Sequence, residues 1–90
     1  MDVNINITFN SGIGNLTITL ERSSDGSTES QTVEHTTADP ITFTNVESND
    51  SFSMIGACAG TTIINIDVPT IEATPYNYPS GKIDVIFIVS

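Results

Sequence analysis

Apolar and polar residues alternate without a fault from Asp2 to Phe9. Side chains on a β-strand point to opposite faces in turn, so the alternation gathers one apolar row on a single face. The polar partners of that row, from Asp2 to Thr8, occupy the other face. The pattern predicts a half-buried first strand. Its apolar row is Val3, Ile5, Ile7 and Phe9.

Six further segments are predicted to be strands by alternation or by β-branched composition. They are 16–20, 31–35, 41–44, 51–54, 61–68 and 83–89. In 31–35 Val33 is the only large apolar residue. Polar residues on an edge strand discourage pairing with other chains, so this strand is predicted at a sheet edge. Between 16–20 and 31–35, the dipeptide Asp25-Gly26 predicts a hairpin turn.

The stretch from Ile41 to Ile66 is predicted to form two hairpins that share their middle strand, with the other strands added on either side. Polar residues at 47–50 mark the first turn, because Asn and Asp tolerate left-handed backbone there. The small residues at 56–60 predict either a strand packed closely against a neighbouring backbone or a bulge that leads into a turn. Pro69 ends the last strand of the stretch.

Composition supports an all-β chain. There are 13 Ile and 13 Thr but only 2 Leu and 4 Ala, and β-branched residues favour strands whereas Leu and Ala favour helices. About seven strands with one apolar face each are typical of two packed sheets. Residues 1–90 are therefore predicted to form one β-sandwich domain of short, mostly antiparallel strands. The lack of Trp and of a Cys pair disfavours a true immunoglobulin domain.

The formal net charge is −9, with 11 acidic residues against Arg22 and Lys82. Nucleic-acid affinity depends on phosphate neutralisation by Lys and Arg, so nucleic acid is excluded as a partner class. An anionic membrane surface is disfavoured for the same reason, and no apolar run is long enough for membrane insertion. The acidity is interpreted as a source of solubility, with divalent cation binding as the alternative.

Cys58 is the only cysteine and His35 the only histidine. A catalytic pair would need hydrogen-bond contact between them and a third group that orients the imidazole, and nothing in their spacing supports this. Cys58 lies among Ala and Gly, which predicts a small buried apolar residue. An intermolecular disulfide at Cys58 is the alternative. His35 is predicted to be a solvated residue.

No metal, cofactor or catalytic site is predicted. One His and one Cys do not supply the three or four ligands of a transition-metal site. The oxygen-rich segments 25–29 and 47–50 do not have the ligand spacing of a calcium loop and are interpreted as ordinary turns. Paired catalytic carboxylates need a cleft for which a 90-residue sandwich has little room. The chain is predicted not to be an enzyme.

Residues 70–80 form the longest segment without a strand pattern, and they include Tyr76 and Tyr78. Alternating aromatic side chains on an ordered loop stack on sugar rings or fill pockets of a partner. Alternatively, the two rings cover the open end of the sandwich. The segment therefore carries the second functional hypothesis, an adhesion module that binds a carbohydrate or a protein, with calcium as an additional ion.

The last strand is apolar on both faces. Ile83, Val85, Phe87 and Val89 share one face, and Ile86 and Ile88 lie on the other. Such a strand either sits centrally between two covered faces or meets a partner molecule.

The first strand carries an assembly hypothesis. Residues 1–10 are terminal and amphipathic, and a glycine-rich link follows them. The strand either pairs within its own domain or is donated to the next subunit. Donation would use identical contacts, and its head-to-tail repetition would give an open filament.

The segment from Thr42 to Val46 and the segment from Asp50 to Met54 together resemble a strand pair of prealbumin-like bacterial surface modules. The resemblance covers residues 42–54, and the family usually has Gly in the turn where this chain has Asn49 and Asp50. The small-residue run and the last strand are also similar to jelly-roll subunits of bacterial surface filaments. These resemblances imply an Ig-like, prealbumin-like or jelly-roll sandwich with a non-enzymatic surface role.

The sequence therefore predicts a structural protein, a surface-exposed or filament-forming subunit that assembles through β-strand pairing. Its expected partners are its own copies or another surface protein, with a glycan as the ligand of the second hypothesis. Ser, Thr and Asn make up 31 of the 90 residues, a composition common among bacterial surface and phage proteins. An extracellular, cell-surface or virion-surface location is expected, and the segment after Met1 lacks signal-peptide features.

Overall fold

The computed structural model describes residues 1–37 and 39–90. None of these residues is helical, and eight strands run through them, so the all-β prediction is confirmed. In chain order the strands are β1 (Val3–Phe9), β2 (Gly14–Glu21), β3 (Thr28–Val33), β4 (Ile41–Phe43), β5 (Ser51–Cys58), β6 (Thr62–Ile66), β7 (Tyr76–Tyr78) and β8 (Gly81–Ile88).

The strands form two four-stranded sheets that pack together as a β-sandwich. Sheet A has the order β4-β1-β6-β7, and sheet B has the order β3-β2-β5-β8. Every neighbouring pair is antiparallel. The predicted single β-sandwich is therefore confirmed.

Alternating residues of both sheets fill the core, as the periodicity of the sequence predicts. The whole apolar row of β1 is buried, and so are the inward rows of β2 and β6. Phe43 of sheet A and Phe52 of sheet B join the two layers, with their ring centroids 5.3 Å apart and tilted by 60°.

The prediction of two hairpins between residues 41 and 66 is wrong. β4 pairs with β1, β5 pairs with β2 and β8, and β6 pairs with β1 and β7. The chain therefore crosses from sheet A to sheet B after β4 and crosses back after β5. Alternation shows which side chains share a face, but it carries no information about the neighbouring strand.

The hairpin predicted at Asp25-Gly26 is confirmed, because β2 and β3 pair on either side of it. Gly26 has a φ of 73°, which is the left-handed region that glycine adopts without strain. β3 lies at the edge of sheet B, as predicted, but it covers Thr28–Val33 and not 31–35.

Segment 70–80 was expected to contain no strand, but β7 pairs with β6 there. The count is therefore eight strands and not about seven. β8 lies at the edge of sheet B, so the alternative in which the last strand sits centrally between covered faces is wrong. Of the two alternatives for the small-residue run, the closely packed strand is confirmed, because β5 continues through Gly56 to Cys58.

Candidate interaction surface

β8 is the long edge strand that carries exposed apolar side chains. Its residues Ile83 and Phe87 face the core and are buried. On the outer face the side chain of Ile86 is 56% exposed, and Ile88 is exposed as well. The last strand is therefore apolar on both faces, as the sequence predicts. One face packs on the core, and the other faces solvent.

Four exposed isoleucines lie on this side of the molecule. In the register of β5 with β8, Ile55 is opposite Asp84 and Ser53 is opposite Ile86, so Ile55 and Ile86 are diagonal neighbours on one face. The backbone N–H of Ile71 donates to the carbonyl of Ile88 at 2.9 Å, which places Ile71 beside the end of β8. We call Ile55, Ile71, Ile86 and Ile88 the isoleucine patch. The other large apolar residues exposed in the described ranges are Met1 and Ile13.

Little of the net charge lies on the outer face of sheet B. By the strand registers, its charged side chains are Glu21, Lys82 and Asp84. One positive and two negative charges give −1, against −9 for the chain. The face is otherwise largely hydroxylated, by Thr17, Thr19, Thr28, Ser30, Thr32, Ser51 and Ser53. It is therefore a surface on which another acidic molecule meets little repulsion.

The hydrogen-bonding groups on the free edge of β8 are partly occupied. Val89 donates to the Asp50 carbonyl and accepts from the Asn49 N–H, so odd-numbered residues direct their backbone groups toward β5. Successive residues of a strand direct these groups to opposite sides. The even-numbered residues of β8 therefore direct theirs toward the free edge.

Tyr78 occupies one position of this edge. Its hydroxyl accepts the Asp84 N–H at 3.1 Å and donates to the Asp84 carbonyl at 3.3 Å. Ile71 occupies the carbonyl of Ile88. Within the described part of the chain, no hydrogen bond reaches the N–H or the carbonyl of Ile86 from the free side.

The other edge strands offer less for strand pairing. β4 and β7 have three residues each. β3 is mostly exposed and polar, and it carries Glu29. Short, polar or charged edges resist pairing with another chain. β8 has eight residues and carries Lys82 and Asp84 near its start. Tyr78 covers its edge at Asp84, and residues 69–71 cover the edge beyond Phe87. Only the apolar stretch 85–87 therefore lacks such protection.

Tyr76 and Tyr78 are half-buried and pack on the core where β7 approaches β8. The ring of Tyr76 contacts Phe87 edge-on, with centroids 5.6 Å apart, and lies 6.0 Å from the ring of Tyr78. The two rings thus cover the core at the edge between β7 and β8, whereas the alternative to ligand contact placed them at the open end of the sandwich. A role of the two rings in binding a glycan or a protein stays a prediction.

Val3, Ile5, Ile7 and Phe9 of the predicted donated strand all face the core of their own chain. β1 lies in the interior of sheet A, between β4 and β6. The N-terminal ammonium group donates to the Val46 carbonyl at 2.9 Å. Donation of this strand to a second chain would reproduce the same contacts and stays a prediction.

The side chain of Cys58 is buried, as the sequence predicts, and its thiol lies 3.7 Å from the Pro79 carbonyl. It lines a surface depression of about 190 Å³ together with Ile13, Gly14, Asn15, Ala57 and Ala59. Ligand sites usually measure roughly 300–1,000 Å³. A disulfide from this buried thiol to a second chain stays a prediction.

His35 is exposed just after β3, which is the solvated position predicted for it. In each oxygen-rich turn, a carboxylate accepts a hydrogen bond from a backbone N–H of the same turn. Asp25 accepts the Ser27 N–H at 2.9 Å, and Asp50 accepts the Glu47 N–H at 2.8 Å. Residues 1–37 and 39–90 contain no group of three or more His, Cys, Asp or Glu side chains that could hold a metal ion.

Thr62 was not singled out from the sequence. It lies at the start of β6 and is fully buried, and its hydroxyl has no hydrogen-bond partner among the described residues. Burying an unpaired hydroxyl costs free energy. The sequence signal that could have identified Thr62 is its inward-facing position as the first residue of an Ile-rich strand.

Thr62→Val is therefore expected to stabilise the domain by about 1 kcal/mol, because it removes the unpaired hydroxyl and keeps the shape and the β-branch. Urea unfolding would measure the change. Thr62→Ser keeps the hydroxyl and loses a methyl group, so it should destabilise by about 1 kcal/mol. A loss of stability in the Val variant would show that the hydroxyl has a partner.

No protein-family model, curated protein or solved structure matches the chain. The resemblance to prealbumin-like and jelly-roll surface modules therefore stays a prediction beyond the shared β-sandwich architecture. The described residues form no helix with the length and apolar character needed to cross a bilayer.

Proposed function

We propose that the protein is a non-catalytic structural subunit that assembles with other protein chains, including its own copies, through β-strand pairing. The observation that carries this proposal is the isoleucine patch along β8, at an edge where the N–H and the carbonyl of Ile86 have no partner among the described residues. Exposed apolar clusters on a small soluble domain mark interaction sites. With its Thr- and Asn-rich, Lys-poor composition, we propose an extracellular, cell-surface or virion-surface setting.

The distribution of charge favours this side of the molecule for association. A chain with a net charge of −9 repels its own copies over most of its surface. The outer face of sheet B carries −1 of that charge, so two copies approach there at the smallest electrostatic cost. Ile55, Ile86 and Ile88 then supply apolar area that becomes buried on contact.

The size of the isoleucine patch limits the expected affinity of self-association. Stable protein interfaces bury about 800 Å² on each partner, whereas the isoleucine patch contributes only four large exposed side chains. A single pair of molecules should therefore associate weakly and in a concentration-dependent way. A larger assembly would gain from several such contacts at once.

Ile86→Lys is expected to weaken self-association at least about tenfold, because it removes a central apolar side chain and places a charge in the contact. The net charge falls in magnitude from −9 to −8, so a loss of association cannot come from greater overall repulsion. Light scattering and sedimentation over a wide concentration range, with and without reductant, would measure the change.

Ile13→Lys is the matched control. Ile13 is 68% exposed and precedes β2 at the surface depression, and its substitution changes the charge equally. The control should associate like the wild type. Equal weakening in both variants, or a wild-type chain that stays monomeric at millimolar concentration, would contradict the proposal. Assembly lost on reduction would instead assign the contact to Cys58.

Donation of β1 would serve the same assembly function by a different route, with the filament built from exchanged strands. It would leave the buried row of β1 in place, now between two chains. The proposal does not depend on it, because β8 is available while β1 remains in its own sheet.

A further inference from the structure

We infer that two copies of the chain pack together through the outer faces of their B sheets, around a two-fold axis beside Ile86, with Lys82 of each copy paired with Glu21 of the other. The inference rests on the proposed self-assembly and names the surface, its symmetry and its ion pair. The contact is isologous, with the same residues on both sides. It uses side chains only, so it does not need the backbone groups along β8 that Tyr78 and residues 69–71 occupy.

Lys82 lies on the outer face of sheet B and is exposed there. It is the only lysine of the chain, against 11 acidic residues. The one salt bridge within residues 1–37 and 39–90 joins Arg22 to Glu29. Glu21, exposed on the same face at the end of β2, also has no ion-pair partner in these ranges. A face that carries an unpaired cation and an unpaired anion at separate positions is electrostatically complementary to a second copy of itself.

The strand registers place Lys82 and Glu21 too far apart to pair within one chain. Lys82 lies opposite Ala57 at one end of the face, and Glu21 lies opposite Ser51 at the other. With a rise of about 3.4 Å per residue and about 4.8 Å between strands, the two positions are roughly 22 Å apart. By the same spacings, Ile86 lies about 14 Å from Lys82 and about 12 Å from Glu21. Ile86 is therefore nearly equidistant from the two charges.

A two-fold axis that lies between the two faces beside Ile86 brings these charges together. It places Lys82 of each copy over Glu21 of the other, so the ion pair forms twice. Ile86, which is 56% exposed, meets Ile86 of the other copy, and each buries apolar surface of the other. Asp84 then faces serine hydroxyls of β5 in the other copy, and hydroxyl groups donate to carboxylates. No two carboxylates face each other in this arrangement.

Lys82→Glu and Glu21→Lys are each expected to weaken self-association at least about tenfold, because a symmetric dimer would contain the repulsive contact twice. An equimolar mixture of the two variants should associate about as tightly as the wild type, since both ion pairs form again between unlike chains. The substitutions change the net charge of −9 to −11 and −7, so a mixed pair carries the same total charge as two wild-type chains. Sedimentation equilibrium of each variant and of the mixture would measure these affinities.

Asp2→Lys is the matched control for Glu21→Lys. It makes the same change of charge at an exposed position that precedes β1 in sheet A. It should associate no more weakly than the wild type, because a smaller net charge reduces repulsion between copies. Weaker association of Glu21→Lys therefore cannot come from the overall charge. All these substitutions replace exposed side chains, and circular dichroism would confirm that the variants are folded.

A zero-length carbodiimide cross-link tests the same contact in the wild-type chain. The reagent joins an amine directly to a carboxylate. A link from Lys82 to Glu21 within one chain would have to span roughly 22 Å, so this product must join two copies. Peptide mass spectrometry of the cross-linked dimer should identify the Lys82–Glu21 link.

The outcomes separate this arrangement from the broader assembly function. If Ile86→Lys weakens association, but the mixed charge variants associate no better than either variant alone and the cross-linked dimer contains no Lys82–Glu21 link, the face-to-face arrangement is overturned while assembly stands. If the wild type stays monomeric at millimolar concentration, the arrangement and the assembly function are overturned together.

Discussion

Gly56→Ala is expected to destabilise the domain by at least about 3 kcal/mol and to leave much of it unfolded. A Cβ atom at this position would lie 2.0 Å from the carbonyl oxygen of Asn15 and 2.9 Å from the Cα of Leu16. Both are backbone atoms of β2, so no side-chain rotation relieves the overlap. The strands would have to separate in the interior of sheet B, where β2 and β5 pair over eight positions.

Urea unfolding monitored by circular dichroism would measure this effect. Gly60→Ala is a suitable control, because its nearest contact would be the Cβ of Ser11 at 3.1 Å, in a surface link that can shift. Its cost should stay below about 1.5 kcal/mol. If Gly56→Ala unfolded at nearly the wild-type urea concentration, β2 and β5 would not approach each other as closely as described.

Alternation predicted the buried rows well because burial is a property of each strand by itself. Val3, Ile5 and Ile7 face the core whichever strands lie beside β1. The order of the strands depends on where the links cross between sheets, and the link from β4 to β5 carries no signal that distinguishes a crossing from a hairpin. β7 was missed for a related reason. It has three residues, and Pro75 and Pro79 flank it.

The candidate interaction surface was only partly predictable. The apolar second face of the last strand identified Ile86 and Ile88 from the sequence alone. Their exposure follows from the edge position of β8, which the sequence left open. The contact of Tyr78 with Asp84 depends on the separation of β7 from β8 across the sandwich, and residue types do not encode that separation.

The buried environment of Asp50 was not predictable from the sequence either, because the polar residues at 47–50 indicated only a turn. Its side chain is 2% exposed. One carboxylate oxygen accepts the Ser23 N–H at 2.8 Å and the Ser23 hydroxyl at 3.0 Å, and the other accepts the Glu47 N–H at 2.8 Å. The carboxylate thus ties the turn between β2 and β3 to the link between β4 and β5.

Asp50→Asn is expected to destabilise the domain by about 2 kcal/mol at pH 7. The amide oxygen can still accept from Ser23, but the amide nitrogen then faces the Glu47 N–H and leaves that donor unpaired. Asp25→Asn is the control with the same change of charge. Asp25 is exposed and accepts one N–H, from Ser27, so its substitution should leave the unfolding midpoint nearly unchanged.

The stabilisation by Asp50 should depend on pH with a definite sign. Burial raises the pKa of this carboxyl, but the hydrogen bonds from Glu47 and Ser23 and the charge of Arg22 outweigh burial and hold the pKa below its usual value of 3.8. A pKa that is lower in the folded than in the unfolded state stabilises the fold above the unfolded pKa, and this stabilisation is lost as the pH falls through the folded pKa.

The difference in unfolding free energy between wild type and Asp50→Asn should therefore hold steady from pH 7 to about 5 and shrink below about pH 4. Urea titrations at stepped pH would measure it, and the comparison removes the other carboxylates, which titrate alike in both chains. A difference that stayed constant down to pH 2, or that grew as the pH fell, would show that the buried carboxylate is not the charged acceptor described here.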